Sequence, residues 1–499
     1  VVATPTSSGK TLIFNAAVVS DLLAHPGRCA LYVFPLKALE QDQHDELNKL
    51  LTNLGGNLTA EIYDGDTKPH LREKIRQNLP DILITTPDML HSGILAFHEA
   101  WQQLFENLNW IVVDELHTYN GIFGSHVLHL FRRINRLAAF YGAEPTYVTC
   151  SATIGNPTEL AERLFNRPFV AVTESGAPAA KRHFLVVDPL DSGNTVAARL
   201  LQNGVMRKLR TLIFTRARVI TELIYHWATQ NQPHLRQRIS SYRAGYMPEE
   251  RRQIEADLLS GKLLGVVSTS ALELGIDIGG LDICVLVGYP GSIVNTWQRA
   301  GRVGRSGRES LIILLAGRDA LDQFFVKHPR ELFDRDIEDA VADPSNRYIL
   351  KHHLPCAARE LPLSIAEPEY AQLAGYDDTL KELSLSGELL QSADGDVWFA
   401  ARKQPHRLVN MRAIGESWSI VAGTNGGSGG QRSSPADDHG SSTGPSTSEA
   451  APADRPSDLF SDVGVRPSMA RQANPDETRD STTPVVRDAS VNNIPVVDS

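Results

Sequence analysis

The run TPTSSGKT, residues 4–11, places a glycine, a lysine and a hydroxyl residue at a spacing that can hold a polyphosphate. It follows a short apolar stretch and opens a helix-like segment, so backbone N–H groups at the helix start would surround the phosphates. Lys10 would reach the outer phosphates and Thr11 would bind Mg²⁺. Thr4 replaces the usual first glycine, and a chance Gly-Lys-Thr is the alternative. The predicted nucleotide-binding residues are Thr6, Ser7, Ser8, Gly9, Lys10 and Thr11.

A second group of reactive side chains, DELH at 114–117, ends an apolar run that is typical of a buried strand. Asp114 could hold Mg²⁺, and Glu115 could position and deprotonate an attacking water. His117 would link these two acids to neighbouring loops. The alternative is a pair of surface acids, but ligands of parallel sheets bind where strands end at their carboxyl edge.

The third group, QRAGRVGR at 298–305, places Arg302 and Arg305 three residues apart on a glycine-containing turn. Two arginines on a turn are often only solvated. Supplied across a domain interface, however, they would neutralise charge that develops on a transferred phosphoryl group. A nucleotide would then close the cleft between two domains, and its hydrolysis would open it.

Two series of short apolar runs alternate with helix-like segments and would position these groups. The first series comprises LYVFP (31–35), DILITT (81–86), WIVVDE (110–115) and TYVTCSAT (146–153). The second comprises TLIFT (211–215), LLGVVST (263–269), DICVLVG (282–288) and LIILLAG (311–317). Segments between them, such as 125–141, have apolar residues at helical spacing. The pattern predicts two tandem α/β domains with parallel sheets, residues 1–175 and 176–342.

Composition changes after these series. We expect residues 343–422 to be a partial helical accessory segment packed on the second domain. The segment from 424 to 456 has no apolar periodicity, and the whole stretch from 423 to 499 lacks Trp, Tyr, Cys and Lys. Such a sequence cannot bury enough surface to offset its ordering entropy, so we predict a disordered tail. The chain starts at Val1 inside an apparent strand, and we expect that an upstream segment is missing.

Charge and cysteine content limit the class of protein. The chain has 59 acidic and 49 basic side chains, a net charge of −10, and the tail's eleven acids and six arginines account for half of it. A basic cleft can still exist in an acidic body. Four widely spaced cysteines show no Cys-x-x-Cys pairing, which predicts buried thiols rather than a zinc site. No apolar run has membrane-spanning length, so we expect no membrane partner.

The motif order resembles that of the superfamily-two helicases. Eight segments occur in that order: TPTSSGKT, FPLKALEQDQ, TTPDML, DELH, SATIGNP, LIFTRAR, VSTSALELGIDIG and QRAGRVGR. Five further segments are similar to the YprA/MrfA type of DEAD/DEAH-box repair helicase: YDGDT, DELHTYNGIFGSHV, FYGAEPT, SYRAGYMPEERR and HHLPCAARELPL. The resemblance covers roughly residues 1–412. It implies two RecA-like domains, dependence on ATP and Mg²⁺, 3′-to-5′ movement on single-stranded DNA, and a role in DNA repair.

The resemblance also implies roles for individual residues. The strand phosphates would be contacted in the two domains by Pro35, Lys37, Thr86, Pro87, Thr215, Arg216, Ser268 and Thr269. The residues that would couple hydrolysis to movement are His117, Ser151 and Thr153. Asp277 and Gln298 would line the nucleotide cleft, Gln298 as part of the catalytic set with Glu115, Arg302 and Arg305.

Three functions stay open from the sequence. The leading one is an ATP-dependent DNA helicase or translocase acting on single-stranded or forked DNA. An RNA helicase is the second, because the motifs do not separate the two polymers. The third is a nucleic-acid-binding module without ATP turnover. Protein partners are not indicated.

Overall fold

The computed structural model of the chain describes residues 1–5, 8–152, 154–177, 180–230, 232–243, 245–272, 280–304 and 308–414. Within these ranges the chain forms two six-stranded sheets with only parallel neighbours and a three-stranded antiparallel sheet. The predicted fold class, two tandem RecA-like parallel-sheet units, is confirmed. The tail predicted at 423–499 lies outside the described residues.

The first sheet has the strand order β1-β6-β5-β2-β4-β3. Its strands are β1 (Val2–Ala3), β2 (Cys29–Val33), β3 (Ala60–Ile62), β4 (Ile82–Thr85), β5 (Leu108–Val113) and β6 (Thr146–Ser151). β2 and β4 are buried along their whole length, because helices cover both faces of the sheet. The helices of this part are α1 (Lys10–Ala24), α2 (Lys37–Asn53), α3 (Pro69–Gln77), α4 (Pro87–Met89), α5 (Gln102–Glu106), α6 (Gly121–Phe140) and α7 (Pro157–Phe165). A π-helical turn (Leu90–Ile94) and 3₁₀ turns (Leu95–Trp101, Leu116–Thr118) complete it.

The second sheet has the order β7-β12-β11-β8-β10-β9. Its strands are β7 (Arg182–Val187), β8 (Thr211–Phe214), β9 (Ile239–Tyr242), β10 (Gly265–Ser268), β11 (Ile283–Val287) and β12 (Ser310–Leu315). The associated helices are α8 (Gly193–Met206), α9 (Arg218–Gln230), α10 (Pro248–Leu259), α11 (Ile293–Ala300), α12 (Ala320–Lys327) and α13 (Glu331–Asp334), with 3₁₀ turns at Pro233–Gln237 and Ser270–Leu272. All eight predicted strands are present, whereas β3, β7 and β9 were not predicted.

The last described part contains α14 (Arg347–Glu360), α15 (Tyr376–Leu385), a 3₁₀ turn (Pro405–Leu408) and the antiparallel strands β13 (Leu363–Ser364), β14 (Leu389–Gln391) and β15 (Val397–Ala400). The expectation that this segment packs on the second domain is wrong. It packs on α6, beside the first sheet: Arg133 of α6 forms a bidentate ion pair with Glu360 of α14, and Arg136 of α6 donates to Ala357 O at 2.9 Å.

Histidines fill the interface between α6 and α14. His126 and His353 contact each other at 3.0 Å between ring nitrogens, and His129 stacks on Tyr370 at 6.1 Å between ring centroids. His91 contacts the Arg133 guanidinium at 2.8 Å. Within the described residues no such cluster is arranged to hold a metal ion. Burial and the nearby arginines instead lower the pKa of His91 and of His129 to about 3, so both imidazoles are neutral.

This interface should weaken in acid. Between pH 6.5 and about 3 the unfolded chain binds a proton at residue 129 that the folded chain does not, so the free energy of unfolding falls as the pH falls. Between pH 7.5 and 5.5, we expect the free energy of unfolding of His129→Phe to fall by about 1 kcal/mol less than that of the wild type. Urea unfolding at pH 7.5 and at pH 5.5 measures the free energy of unfolding of each protein. The exposed-histidine variant His70→Phe should match the wild type, and an unchanged loss in His129→Phe would contradict the expectation.

All four cysteines, Cys29, Cys150, Cys284 and Cys356, are free and buried, as predicted. Burial raises the pKa of the Cys29 and Cys356 thiols to about 12. Among the described helices, none is long and apolar enough to cross a membrane.

Candidate functional site

Three loops meet at the carboxyl edge of the first sheet. The TPTSSGKT loop follows β1, the DELH turn follows β5, and Ser151 ends β6, which lies between those two strands. Because all three strands are parallel, their following loops emerge side by side. Segments more than a hundred residues apart in sequence are therefore neighbours, as the sequence predicted.

The phosphate-loop candidate has the backbone shape that its glycine permits. Gly9 adopts φ 83° and ψ 20° at the start of α1, a left-handed conformation that side chains disfavour. Lys10 is the first helical residue, and its ammonium donates to the carbonyl oxygens of Thr4 at 2.7 Å and Pro5 at 3.0 Å. The Thr4 and Ser8 hydroxyls share a hydrogen bond of 2.6 Å. The lysine charge thus lies within the loop, ahead of the helix N-terminus.

The two acids of the DELH turn are in a strained, partly buried arrangement. Glu115 has φ 52°, one of three non-glycine residues with positive φ in the described ranges, and its N–H donates to Asp114 Oδ1 at 2.8 Å. Such strain is common at functional sites. Burial, and then the negative charge of Glu115, raise the pKa of Asp114 to about 7, against the opposing effect of Lys10. A bound cation would relieve the electrostatic cost of this buried carboxylate.

His117 joins the DELH turn to the loop after β6. Its Nδ1 accepts from the Ala152 N–H at 3.3 Å and lies 3.5 Å from Glu115 Oε2. Nδ1 is therefore the acceptor nitrogen, and the ring proton is on Nε2. Burial lowers the pKa of His117; Glu115 raises it, and the positive charges of Lys10 and Arg302 lower it further. His117 is therefore a buried, uncharged imidazole at the centre of the site.

The second sheet contributes α11 and the turn that follows it. Gln298 lies in α11 and Arg302 lies two residues after its end, and both side chains are buried. Gln298 lines a cavity of about 500 Å³ together with His117 and Ile154 from the first part of the chain, and Ser270 and Glu338. The cavity therefore brings Gln298 of α11 close to His117 of the DELH turn, and the charge of Arg302 acts on the same imidazole.

Among the described residues, the buried polar atoms of this region without a hydrogen-bond partner include His117 Nε2, Ser151 Oγ and Gln298 Nε2. Buried polar groups are almost always paired, so these atoms fit a polar ligand and its water. The Asp114 carboxylate and Thr11 hydroxyl are hard oxygen donors of the kind Mg²⁺ takes. The residues present therefore fit a nucleotide and its magnesium ion.

The residues predicted to contact the nucleic-acid strand are either buried, half-buried or exposed. Pro35, Thr86, Pro87, Thr215 and Ser268 are buried. Thr215 bonds internally to Thr221 Oγ1 at 2.7 Å, and Thr86 Oγ1 accepts from the Met89 N–H at 3.3 Å. Pro35 and Pro87 have no backbone N–H to donate to a phosphate, and the Thr215 N–H already donates to Ser268 O at 2.8 Å. Thr269 is half-buried.

The two predicted basic contacts are exposed and already paired. Lys37 Nζ lies 2.7 Å from Asp66 Oδ1, and Arg216 pairs with Asp319 at 2.7 Å and Asp322 at 2.9 Å. A strand phosphate would have to compete with these carboxylates. The predicted site residues that fall outside the described ranges are Thr6, Ser7, Thr153, Asp277 and Arg305.

The sequence analysis missed two residues near the motifs that are predicted to contact nucleic acid. Arg412 donates to Pro35 O at 3.2 Å and pairs with Asp88 at 3.0 Å, and so it joins the FPLK and TTPD loops. These partners are more than 300 residues away, and no local pattern indicates the contact. Glu40 is fully buried, and burial together with Asp64 raises its pKa to about 8. Its position in a helix rich in polar residues gives no sign of burial.

Three family descriptions match consecutive parts of the chain. Residues 1–160 match the DEAD/DEAH box helicase family, and residues 195–307 match the helicase conserved C-terminal domain. Residues 342–414 match the winged helix domain of the ATP-dependent helicase HRQ1. The first two matches contain the loops that meet in the cleft.

Two curated relatives extend the likeness over most of the chain. YprA of Bacillus subtilis, an uncharacterized ATP-dependent helicase, is 43% identical over 432 residues, 84% of this chain and 57% of YprA. The ATP-dependent helicase hrq1 of Schizosaccharomyces pombe is 37% identical over 389 residues, 74% of this chain and 36% of that protein. The chain thus spans about half the length of YprA and about a third of hrq1.

Solved structures agree with these relatives. The DUF1998 helicase MrfA bound to DNA superposes with a TM-score of 0.78 at 43% identity, over 82% of this chain and 59% of that one. The Mycobacterium smegmatis helicase Lhr bound to single-stranded DNA and AMP-PNP gives a TM-score of 0.68 at 26% identity, over 81% and 57% of the two chains.

Proposed function

Because this chain belongs to the superfamily-two DEAD/DEAH-box helicases and resembles their YprA/MrfA type, we propose that it couples ATP hydrolysis to movement along DNA. The direction we propose is 3′-to-5′ on single-stranded DNA, and the role is DNA repair. The MrfA and Lhr structures with DNA favour DNA over RNA as the polymer.

The observation that carries this proposal is the convergence of three charged groups on His117. Its ring nitrogen lies 3.5 Å from Glu115, and its pKa responds to Lys10 from the phosphate loop and to Arg302 from the second sheet. A surface acid pair or a solvated basic turn would not place these groups around one buried imidazole. A cleft that assembles a lysine, a carboxylate and an arginine from separate lobes suits phosphoryl transfer.

Each residue then has a defined task. Lys10 and the N–H groups at the start of α1 bind the phosphates. Glu115 accepts the proton of the attacking water, and the strained turn holds its carboxylate near His117. Arg302 neutralises charge that builds up on the outer phosphate when the lobes close. Thr11 and Asp114 would hold Mg²⁺, which neutralises phosphate charge when bound.

The eight residues predicted to bind nucleic acid would contact its sugar-phosphate backbone rather than its bases. Five of the eight predicted contacts are buried, uncharged residues, and the two basic side chains are paired with acids. Contacts of this kind bind without sequence preference. They also explain how a chain with a net charge of −10 can act on nucleic acid.

The test is ATP hydrolysis with and without polymer. We expect single-stranded DNA to stimulate the rate several-fold more than RNA of the same length and composition. Stronger stimulation by RNA would favour the RNA helicase. Nucleic-acid binding without hydrolysis, with or without polymer, would favour the binding module and contradict the proposed enzyme.

A further inference from the structure

The segment 337–343, called the connecting segment here, follows the second sheet in sequence but is bonded to the first part of the chain. Ala340 N donates to Asn156 Oδ1 at 2.9 Å, and Asn156 Nδ2 donates back to Ala340 O at 3.0 Å. Gly121 N donates to Val341 O at 2.6 Å. Ala340 and Ala342 are buried in the core cluster of the first sheet. The connecting segment is therefore anchored to the part of the chain that forms the first sheet.

One side chain of this segment reaches the second lobe. Glu338 Oε1 accepts from the Ile293 N–H at 2.6 Å, and Oε2 accepts from the Val294 N–H at 3.0 Å. These are the first two amides of α11, whose positive dipole end favours a carboxylate. Ser292 supplies an ordinary cap to the third amide of the helix, that of Asn295, at 3.0 Å. Glu338 thus completes the cap from a different part of the chain.

The backbone of the same residue contacts the loop after β6. Gly155, the glycine of SATIGNP, donates its N–H to Glu338 O at 3.3 Å. A Cβ at Gly155 would lie 2.5 Å from Ile337 O and would also clash with the Asp339 carboxylate. Only glycine allows the connecting segment to lie this close. The glycine of this motif is therefore accounted for by a contact with a segment about 180 residues away.

We propose that Glu338 is a positioning residue that holds α11, and with it Gln298 and Arg302, in register with the loop after β6. Gln298 lies about one helical turn after the capped amides, and Arg302 lies two residues after the end of α11. The Val294 side chain also packs on the core cluster of the first sheet, so the whole start of α11 belongs to the lobe interface. The inference rests on the proposed function, because it assigns Glu338 a role in ATP hydrolysis.

The first test separates catalysis from binding. Glu338→Ala removes both acceptors, whereas Glu338→Gln keeps the size but loses the charge and one acceptor. We expect the maximal DNA-stimulated rate to fall on the order of tenfold in Glu338→Ala and less in Glu338→Gln, with KM for ATP within about twofold of wild type. Asp336→Asn, an exposed acid two residues earlier, is the matched control and should behave as wild type.

A double-mutant cycle distinguishes positioning from a general loss of structure. If Glu338 acts through Arg302, adding Glu338→Ala to a protein that already carries Arg302→Ala should lower the rate of ATP hydrolysis by less than about twofold. Equal factors in both backgrounds, or a fall in DNA affinity and melting temperature that parallels the loss of rate, would overturn the proposal. So would a wild-type rate in Glu338→Ala. A wild-type protein that does not hydrolyse ATP would instead refute the proposed function, before any variant is compared.

Discussion

Glu115→Gln is expected to reduce ATP hydrolysis on the order of 10²–10⁴-fold while ATP still binds, because the amide keeps the shape but cannot accept the proton of the attacking water. The substitution also removes the negative charge beside His117 and Asp114. Steady-state hydrolysis and equilibrium binding of a fluorescent ATP analogue measure the two effects separately.

Two companion variants make this result specific. Lys10→Ala should also abolish hydrolysis, but chiefly through weaker nucleotide binding, because Lys10 provides positive charge to the phosphates. Glu144→Gln alters an exposed acid just before β6, at the opposite edge of the sheet, and should leave the rate unchanged. Undiminished turnover in Glu115→Gln would refute its assignment as the base.

Arg302→Ala is expected to lower the rate of hydrolysis on the order of 10²-fold or more, with a modest loss of ATP affinity. Arg302 is buried and close enough to His117 to lower its pKa, so its charge is already within the site. An interaction that strengthens in the transition state lowers the rate constant more than ground-state binding. The sequence motif predicts the same behaviour for Arg305.

The control for this variant is an arginine three residues after the end of the QRAGRVGR segment. Arg308 is exposed, and Arg308→Ala should change neither the rate nor the affinity for ATP. Single-stranded DNA should still bind to Arg302→Ala, because the predicted contacts with the DNA phosphates are made by residues of other motifs. If Arg302→Ala hydrolyses ATP normally and only binds DNA more weakly at high salt, the turn is a solvated basic patch.

The central strands were predictable because each is a short apolar run buried on both faces. β2 and β4 carry this signal over their full length. The missed strand β7 is half-buried throughout, and β3 has three residues with an exposed glutamate in the middle. Edge strands of this kind gain their structure from pairing with a neighbour, which a local pattern does not encode.

The proximity of the proposed site residues was predictable for a different reason. Their chemistry requires fixed spacings, as in Gly9-Lys10-Thr11 and DELH, and parallel topology then places the strand ends together. The role of Glu338 and the contact of Arg412 were not predictable, since both depend on the path of the chain after the second sheet. The accessory segment was assigned to the wrong domain because the partner of its Glu360 is Arg133 of α6. That helix lies more than 200 residues earlier in the chain, and no local sequence pattern indicates the ion pair.

The most direct test of the central claim, that ATP hydrolysis moves this protein along DNA, is displacement of streptavidin from end-biotinylated oligonucleotides. A 3′-to-5′ translocase should displace streptavidin from the 5′ end faster than it dissociates spontaneously, only with ATP and Mg²⁺. It should do so much more slowly from the 3′ end, and Glu115→Gln should be inactive at both. DNA-stimulated ATP hydrolysis without displacement from either end would contradict the account, and displacement only from the 3′ end would reverse the proposed direction.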